Sequence, residues 1–418
     1  MTPTYNDERF YWLWLQRFLG IGSNKVAEVL EYFKNPKLVY EASDDELINS
    51  SLFSTTEFLR RSKIVNKKLL DILKYCDQNN IRIVSYLDNE YPECLRRIEA
   101  PPTLLFVRGT NMVDIFPSIA IVGKRESTVY GEKASFSLSA KLSLAGFSIV
   151  SGGARGIDRM AHLGALAAGG KTIVVLGSGI DSNYLKCNKD IRKAAEQNGV
   201  VISEFAPKAS ATKYTFPIRN RIISALSSGV AVIQAGEKSG ALITASYAME
   251  QGREVFAVPG NISQEEYKGN NQLIKDGAII LTSVEDVLSV YSGRFGDILK
   301  SNVQLSRKIT RVLYSELEKN KRKTTAQKKG QIKVTQKAKE SEEDSNYQFK
   351  APDINKINCS DNAKKVLAVF DEEILMSDTM SAKSGVNGAE FITVVTELEL
   401  KGYIKAVPVG RYRITVKG

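Results

Sequence analysis

Short apolar runs that end in glycine alternate with helix-forming stretches between Ser118 and about Val290, and this pattern constrains the fold more than any other feature. The runs read IAIVG, FSIVSGG, TIVVLG, VAVIQAG and VFAVPG. Such alternation predicts an α/β fold with a doubly wound, mainly parallel sheet. Ligands of these sheets bind beyond the carboxyl ends of the strands. Glycine can simply end a strand, but so many on one edge favour a binding edge, formed by Gly123, Gly153, Gly177, Gly236 and Gly260.

The residues before this region predict helices joined by a glycine turn. Apolar residues recur at helical spacing from Phe10 to Phe18 and again from Val26 to Phe33. The backbone N–H groups of such a turn can bind phosphate, but most glycine turns only let two helices pack, and both interpretations stay open. A strand is expected over residues 81–86, followed by a proline-rich extended connector. We therefore expect an N-terminal helical domain with a short α/β extension over residues 1–110, and the α/β domain over residues 111–295.

A basic segment follows the α/β domain. Residues 319–339 contain nine Lys or Arg and no acid. A stretch with so few apolar groups cannot bury enough surface to fold, so residues 296–360 are expected to form a disordered basic linker. It can act as a tether, as a cationic strand that raises affinity for DNA, or as both.

The last segment, residues 361–418, predicts a small winged-helix domain. Three helices are expected around Val366, over 377–383 and around Val394, followed by β-prone runs at 403–407 and 411–416. The third helix carries Glu390, Glu397 and Glu399 against Lys401. Because acidic groups oppose the approach of phosphates, contact with a protein or a structural role is at least as plausible as DNA binding.

Composition narrows the partners and the compartment. The formal net charge of +11 attracts polyanions, although a lysine-rich surface explains it equally well. The cysteines are scattered and the chain has one histidine, so neither a disulfide framework nor a metal site is expected. No apolar run approaches the roughly 18 residues that span a bilayer, and the first residues lack a signal-peptide layout. We expect a cytoplasmic protein with no membrane partner.

The first glycine turn lacks the signatures of nucleotide cofactors. It reads IVGKRES, which has neither the dinucleotide-binding nor the P-loop spacing. The single imidazole, His162, has no visible triad partner and is expected to be structural. Asp158, Asp181 and Glu204 could pair as acid and base, but nothing in the sequence sets their separation. The sequence therefore predicts neither a catalytic residue nor a cofactor.

A mixed basic and aromatic stretch, KYTFPIRNR at residues 213–221, precedes a helix that Pro217 can begin. Lysine and arginine neutralise phosphates, and an exposed phenylalanine stacks on any base, so this composition is typical of a single-strand binding surface. The same pattern would arise if Phe216 belonged to the core and the arginines braced loops. Local spacing does not decide between the two.

Several long strings resemble the DNA-processing A (DprA/Smf) family. They are IVGKREST-VYG at 121–131, SGGARGIDRMAH at 151–162, FPIRNRIISALS at 216–227, and SGALITA together with GREVFAVPG. The resemblance implies a Rossmann-like core, a SAM or helix-hairpin-helix type of N-terminal domain, single-stranded DNA binding and a homodimer. It also implies delivery of incoming DNA to the RecA recombinase during natural transformation, in competence and DNA recombination.

The resemblance also implies which residues form the DNA pocket. By this carry-over they are Arg125, Ser151, Gly152, Gly153, Lys213, Phe216, Arg219, Asn220, Arg221, Ser239 and Gly240. Three positions depart from the family's usual residues: Gln234 stands in place of an acid, Leu185 in place of proline and Lys208 in place of glycine. The first weakens any role for that acid, and the other two indicate reshaped loops.

Two other functions remain open. Nucleotide phosphoribohydrolases of the same fold group use a GGxGTxxE string, whereas this chain has SGALIT at 239–244 with no carboxylate in the matching place. A pure adaptor that binds through the winged helix is the third interpretation, and the basic stretch at 213–221 argues against it.

Overall fold

The computed structural model describes residues 7–184, 186–300, 304–317, 357–370, 374–407 and 411–415. The chain divides into two compact units, Met1–Arg322 and Lys323–Gly418. Each unit has its own core, and each is described by itself below.

The first unit contains fifteen α-helices in its described part. Six lie before the first strand: α1 (Glu8–Leu19), α2 (Val26–Phe33), α3 (Pro36–Glu41), α4 (Asp44–Asn49), α5 (Thr55–Arg61) and α6 (Asn66–Gln78). Nine lie between or after the strands: α7 (Glu93–Arg96), α8 (Val129–Ala145), α9 (Ile157–Ala167), α10 (Lys189–Gln197), α11 (Thr215–Ala225), α12 (Gly240–Glu250), α13 (Lys268–Lys275), α14 (Val284–Phe295) and α15 (307–317).

The strands of the first unit form one sheet. They are β1 (Arg82–Ser85), β2 (Leu104–Gly109), β3 (Ser118–Gly123), β4 (Ser148–Ser151), β5 (Thr172–Leu176), β6 (Gly199–Ser203), β7 (Gly229–Gln234), β8 (Glu254–Ala257) and β9 (Ile279–Ile280). Their order is β1-β2-β6-β5-β4-β3-β7-β8-β9. From β6 to β9 all neighbours are parallel, while β1 and β2 are antiparallel additions at one end. The predicted doubly wound, mainly parallel sheet is confirmed.

Alternate residues of the central strands face opposite layers. Ala120 and Val122 of β3 pack with Ile222 and Ile223 of α11 and with α12. Ile119 and Ile121 of the same strand pack on the other side with α8, α9 and α14. The strands are therefore buried on both faces, which explains why they read as continuous apolar runs rather than as alternating ones.

The boundary expected near residue 110 does not separate two cores. Strands β1 and β2 lie before it but belong to the central sheet. The aromatic residues of α1 pack in one cluster with Phe106 of β2, Val174 of β5 and Val201 of β6. Strand β2 pairs with β6, which brings the N-terminal part of the chain into the central sheet. Because α1 packs on these strands, the N-terminal helices and the sheet share one hydrophobic core.

The segment that we expected to be linker from residue 296 begins differently. Helix α15 lies within it, and its Ile309, Leu313 and Leu317 are buried against Phe136 and Met160 of the two helices that cover the sheet. Those apolar residues recur every four positions, which places them on one helix face. The basic stretch at 319–339 lies outside the described residues.

The second unit has its own small core. Its described elements are α16 (Asp361–Ala368), β10 (Ile374–Met376), α17 (Ser377–Ser384), α18 (Gly388–Leu400), β11 (Ile404–Val407) and β12 (Arg411–Ile414). The strands form an antiparallel sheet in the order β10-β12-β11. The three helices and last two strands occur where they were expected, and β10 is an addition. The assignment as a winged helix stays a prediction.

Candidate nucleic-acid interface

A cavity of about 370 Å³ opens where the winding of the sheet reverses. Strand β3 leads through α8 to β4 on one side, whereas β7, its other neighbour, leads through α12 to β8. Helices α8 and α12 lie on opposite faces, so the loops after β3 and β7 separate and leave a crevice at the carboxyl edge. The lining residues are Val122, Gly123, Lys124, Arg125, Glu126, Ala154, Asp158, Phe216, Arg219, Asn220, Ile223, Ser239, Gly240, Ala241 and Thr244.

Arg125 and Phe216 form the mouth of this cavity. Arg125 is exposed in the loop after β3, and its guanidinium carbon lies 4.4 Å from the centre of the Phe216 ring. The same guanidinium donates a hydrogen bond of 3.1 Å to the hydroxyl of Tyr184, whose ring packs 5.4 Å from that of Phe216. Phe216 is only partly buried. We call Arg125, Tyr184 and Phe216 the arginine–aromatic edge, because a cation and two rings meet there at the surface.

Arg219 lies deeper in the cavity than the sequence indicated. Its side chain is 5 % exposed and donates hydrogen bonds to the carbonyls of Gly152 and Val175. Burial lowers the pKa of Arg219 to about 10, and the nearby carboxylate of Asp158 opposes that shift. Arg219 thus remains a cation at neutral pH. It closes the cavity from below and holds the loop after β4 in place.

Gly152 is required by this arrangement. A Cβ atom at Gly152 would overlap the guanidinium of Arg219. Gly153 has a φ of +65°, a left-handed conformation that side chains disfavour, and its carbonyl accepts a hydrogen bond from Asn188. The neighbouring Ser151 is fully buried, and its hydroxyl donates to the carbonyl of Ile121 at 2.6 Å. None of these three residues lines the cavity, and their assignment to the DNA pocket stays a prediction.

Asp158 is a buried carboxyl group on the wall of the cavity. Burial raises its pKa, whereas the positive charge of Arg219 and the backbone N–H of Ala154 act in the opposite direction. The N–H of Ala154 donates to the carboxylate at 3.3 Å. Asp158 and Arg219 therefore interact at the wall of the cavity, and each favours the charged form of the other.

Helix α12 contributes its first turn to the same cavity. The Ser239 side chain accepts a hydrogen bond from the N–H of Ala241 and caps the helix. Gly240 is exposed, and its carbonyl accepts a hydrogen bond of 3.2 Å from Asn220 of α11. The positive end of the helix dipole faces the cavity, which favours an anion there.

Arg221 does not belong to this cavity. It is 5 % exposed, and its Nη2 donates hydrogen bonds of 2.8 and 2.9 Å to the two carboxylate oxygens of Glu204. Two residues along a helix correspond to a rotation of about 200°, so Arg221 points away from the side that Arg219 occupies. Arg221 is not among the residues that line this cavity, and its assignment to the DNA pocket stays a prediction. Lys213 is exposed outside the cavity, with its ammonium 5.0 Å from the ring of Tyr214.

The carboxylates considered as an acid–base pair are separated by the fold. Asp181 is held by both terminal nitrogens of Arg108 at 2.7 Å, and Glu204 by Arg221. Asp158 alone of the three lines the cavity.

The sole imidazole has a structural environment. His162 is fully buried, and its Nδ1 lies 2.7 Å from the hydroxyl of Thr172. That hydroxyl donates to the carbonyl of Ile149, so Nδ1 carries the proton. Burial lowers the pKa of His162 to about 3, and the charge of Arg219 acts in the same direction. The imidazole is therefore neutral at physiological pH. It is not among the residues that line the cavity.

The positions that depart from the family pattern have clear roles where they are described. The Gln234 side chain accepts a hydrogen bond of 2.9 Å from the N–H of Thr128, which begins α8. The ammonium of Lys208 lies 4.3 Å from the ring of Tyr75. Leu185 lies outside the described residues.

Sequence reasoning missed three residues at this site. Lys124, beside Arg125, lines the cavity and has its ammonium 3.9 Å from Glu266. Asp158 was considered only as a catalytic acid. Tyr184 comes from an irregular loop with no periodicity that could have indicated its contact with Phe216. The sequence offered one indication that Lys124 lies at the site, namely its place beside Gly123 in the first glycine turn.

Within the described ranges, no three His, Cys, Asp or Glu side chains are grouped so that they could hold a metal ion. Nor does any described helix have the length and apolar character needed to cross a membrane.

Comparisons with known proteins identify relatives of this chain. The model of the family described as DNA recombination-mediator protein A matches residues 82–292. The DNA processing protein DprA of Streptococcus pneumoniae is 43 % identical over 211 residues, which cover 50 % of this chain and 73 % of that protein. Protein Smf of Escherichia coli is 33 % identical over 351 residues, which cover 83 % of this chain and 81 % of that protein.

A solved structure supports the same relationship. The X-ray structure of DprA from Streptococcus pneumoniae superimposes with a TM-score of 0.60 at 35 % identity, and covers 69 % of this chain and 98 % of that one. Residues 82–292, which the family model matches, contain every residue that lines the cavity. The chain belongs to the DNA recombination-mediator protein A family.

Proposed function

We propose that the chain binds single-stranded DNA along the arginine–aromatic edge and in the cavity behind it, without altering the DNA chemically. The observation that carries the proposal is the exposed guanidinium of Arg125 lying 4.4 Å above a partly exposed Phe216 ring. A guanidinium neutralises a phosphate, and an aromatic face stacks on any base. The first turn of α12 adds a favourable dipole for the backbone phosphates.

The geometry favours a single strand over a duplex. Bases in a duplex are stacked on each other, so they offer no face to Phe216, and a duplex would bind mainly through charge. Lys213 lies outside the cavity and is exposed, where it would contact the backbone of the strand as it leaves. Gly152, Gly153 and Ser151 support this site from beneath rather than contact the DNA.

The relatives' names and the family description extend the proposal. A recombination mediator holds a strand and passes it on, which fits an open edge at the surface rather than an enclosed active site. We infer that this cytoplasmic protein acts as a homodimer that protects incoming DNA and loads the RecA recombinase during natural transformation.

The rival function is a phosphoribohydrolase, and the positions of Asp181 and Glu204 argue against it. General acid–base catalysis needs a carboxyl group that can reach the reacting atoms. Asp181 and Glu204 are each held in an ion pair with arginine, away from the cavity lining. Asp158 and Glu126 line the cavity, and Asp158 interacts there with the guanidinium of Arg219.

The test is charge reversal at the mouth of the cavity. Arg125→Glu and Lys213→Glu should each weaken binding of a labelled oligothymidylate by about ten- to a hundred-fold, equivalent to about 1.4–2.8 kcal/mol, because attraction to phosphate becomes repulsion. The matched control is Lys67→Glu on α6, which is exposed and lines no part of this cavity. Circular dichroism checks that each variant is folded. Wild-type affinity in both charge reversals would place the DNA site on another surface.

A further inference from the structure

A second cavity lies at the opposite edge of the sheet from the candidate DNA site. It measures about 440 Å³ and lies where two parallel strands begin. Phe116 immediately precedes the segment that enters β3, and Arg253 is the residue before β8. Seven residues between positions 89 and 97, together with Arg294 of α14, complete its wall. We call it the arginine cavity.

Four arginines line the arginine cavity, against a single acid. They are Arg96, Arg97, Arg253 and Arg294, and the acid is Glu93. Glu93 pairs with the first two at 3.1 and 3.2 Å, so one carboxylate serves two guanidinium groups. Among the described residues no carboxylate lies within 4.0 Å of the guanidinium nitrogens of the other two. The cavity therefore has a strong excess of positive charge.

Two of these guanidinium groups are held in place by the backbone. Arg96 donates to the carbonyls of Tyr86 and Asp88 at 2.9 and 2.7 Å. Arg253 donates to the carbonyl of Ala225 at 3.3 Å, while its Nε is buried and has no hydrogen-bond partner in the described structure. These hydrogen bonds hold two of the four positive charges at the wall of the cavity.

An aromatic ring stands beside the charges. The side chain of Phe116 is 40 % exposed at the wall of the cavity. Carboxylates of an acidic peptide would use the arginines but have no use for an aromatic face, whereas a nucleotide uses both, through its phosphate and its base. The volume also lies within the range of about 300–1,000 Å³ that holds small ligands.

We propose that the arginine cavity binds a second segment of single-stranded nucleic acid, with its phosphates on the arginines and a base against Phe116. The proposal rests on this cavity alone and not on the site at the carboxyl edge. The two cavities lie at opposite edges of one sheet, so they would hold separate stretches of a strand or two different strands.

The first experiment is photo-cross-linking of the full chain to an oligothymidylate that carries 5-iododeoxyuridine, with the modified peptides identified by mass spectrometry. We expect adducts at both Phe116 and Phe216. In Arg125→Glu the adduct at Phe216 should be lost and the adduct at Phe116 retained, which separates this proposal from the one above. Absence of an adduct at Phe116 in the wild-type protein would overturn the second site.

The second experiment measures how the affinity for an oligothymidylate depends on salt in the double variant Arg97→Gln/Arg294→Gln. Both arginines are exposed, so the variant should fold. Two lost phosphate contacts should reduce the slope of log K against log salt by about 1.4, since each contact on a single strand contributes about 0.7. The control is Lys67→Gln/Lys68→Gln on α6, which removes the same charge from an exposed surface away from both cavities.

Two outcomes would overturn the assignment. One is a slope in Arg97→Gln/Arg294→Gln equal to that of the lysine control. The other is a heptaglutamate peptide that binds the wild-type protein and fails to bind this variant, while the oligonucleotide binds both equally. The latter result would assign the cavity to an acidic protein partner.

Discussion

The ion pair between Arg221 and Glu204 provides the sharpest test of how α11 is oriented. Both side chains are almost completely buried, at 5 % and 2 % exposure, and two hydrogen bonds of 2.8 and 2.9 Å join them. Arg221→Met leaves the carboxylate of Glu204 buried without its cation. Removing one partner of a buried pair costs about 3–5 kcal/mol, a large fraction of the roughly 5–15 kcal/mol that stabilises a typical domain.

The measurement is urea unfolding followed by tryptophan fluorescence. Trp12 and Trp14 are the two tryptophans of the chain, and both lie in α1, whose core includes residues of the sheet. The signal therefore reports on the first unit. Arg221→Met/Glu204→Met should recover much of the loss, because an apolar pair of similar size needs no compensating charge. Lys67→Met, on the surface of α6, should change the unfolding free energy by less than about 0.5 kcal/mol.

DNA binding distinguishes the structural role from a role in the site. At low urea, where Arg221→Met is still folded, it should bind an oligothymidylate as the wild-type protein does. If Arg221→Met instead kept the wild-type stability and lost affinity as Arg125→Glu does, then Arg221 would contact DNA and our orientation of α11 would be wrong.

Three further predictions concern stacking, pH and the basic segment. Phe216→Ala should cost about 1–3 kcal/mol of binding free energy with little change in salt slope, because it removes a stacked base and no charge; a changed slope in a binding titration would contradict this. His162→Gln should flatten the pH dependence of the unfolding free energy between pH 6.5 and 3. The folded pKa of His162, about 3, lies below the ordinary histidine pKa of about 6.5, so the wild-type protein loses stability as the pH falls through this range. Identical pH profiles for His162→Gln and the wild-type protein, measured by fluorescence, would refute it. Deletion of residues 319–339 should weaken binding modestly and flatten its salt slope, whereas an unchanged slope would make the segment a tether only.

The sequence predicted the sheet and the edge at which the site lies. Strand ends such as Gly123 and Gly153 come together because parallel strands place their carboxyl ends on one side, a consequence of chain direction that periodicity reveals. Local composition left it open whether Phe216 is core or surface, and the structure shows it to be partly buried beneath Arg125.

Other features depend on contacts between residues far apart in the chain. The sequence shows that Arg219 and Arg221 lie on different sides of a helix, but not which side faces the cavity, because that depends on where Glu204 lies after folding. The contact of Tyr184 with Phe216 also depends on residues far apart in the chain. So does the burial of one face of α15, which packs against α8 and α9.

By itself, the sequence determined the layering of the α/β core and the edge of the sheet where the candidate site lies, because both follow from the alternation of apolar runs. It also determined which basic and aromatic residues are available at that edge, because each residue carries its chemistry alone. Tertiary structure alone decided that Arg125 meets Phe216, that Arg221 is held by Glu204 and that four arginines surround one cavity at the opposite edge. Each of these depends on which side chains the packed sheet and helices bring within contact distance, and no local pattern encodes that distance.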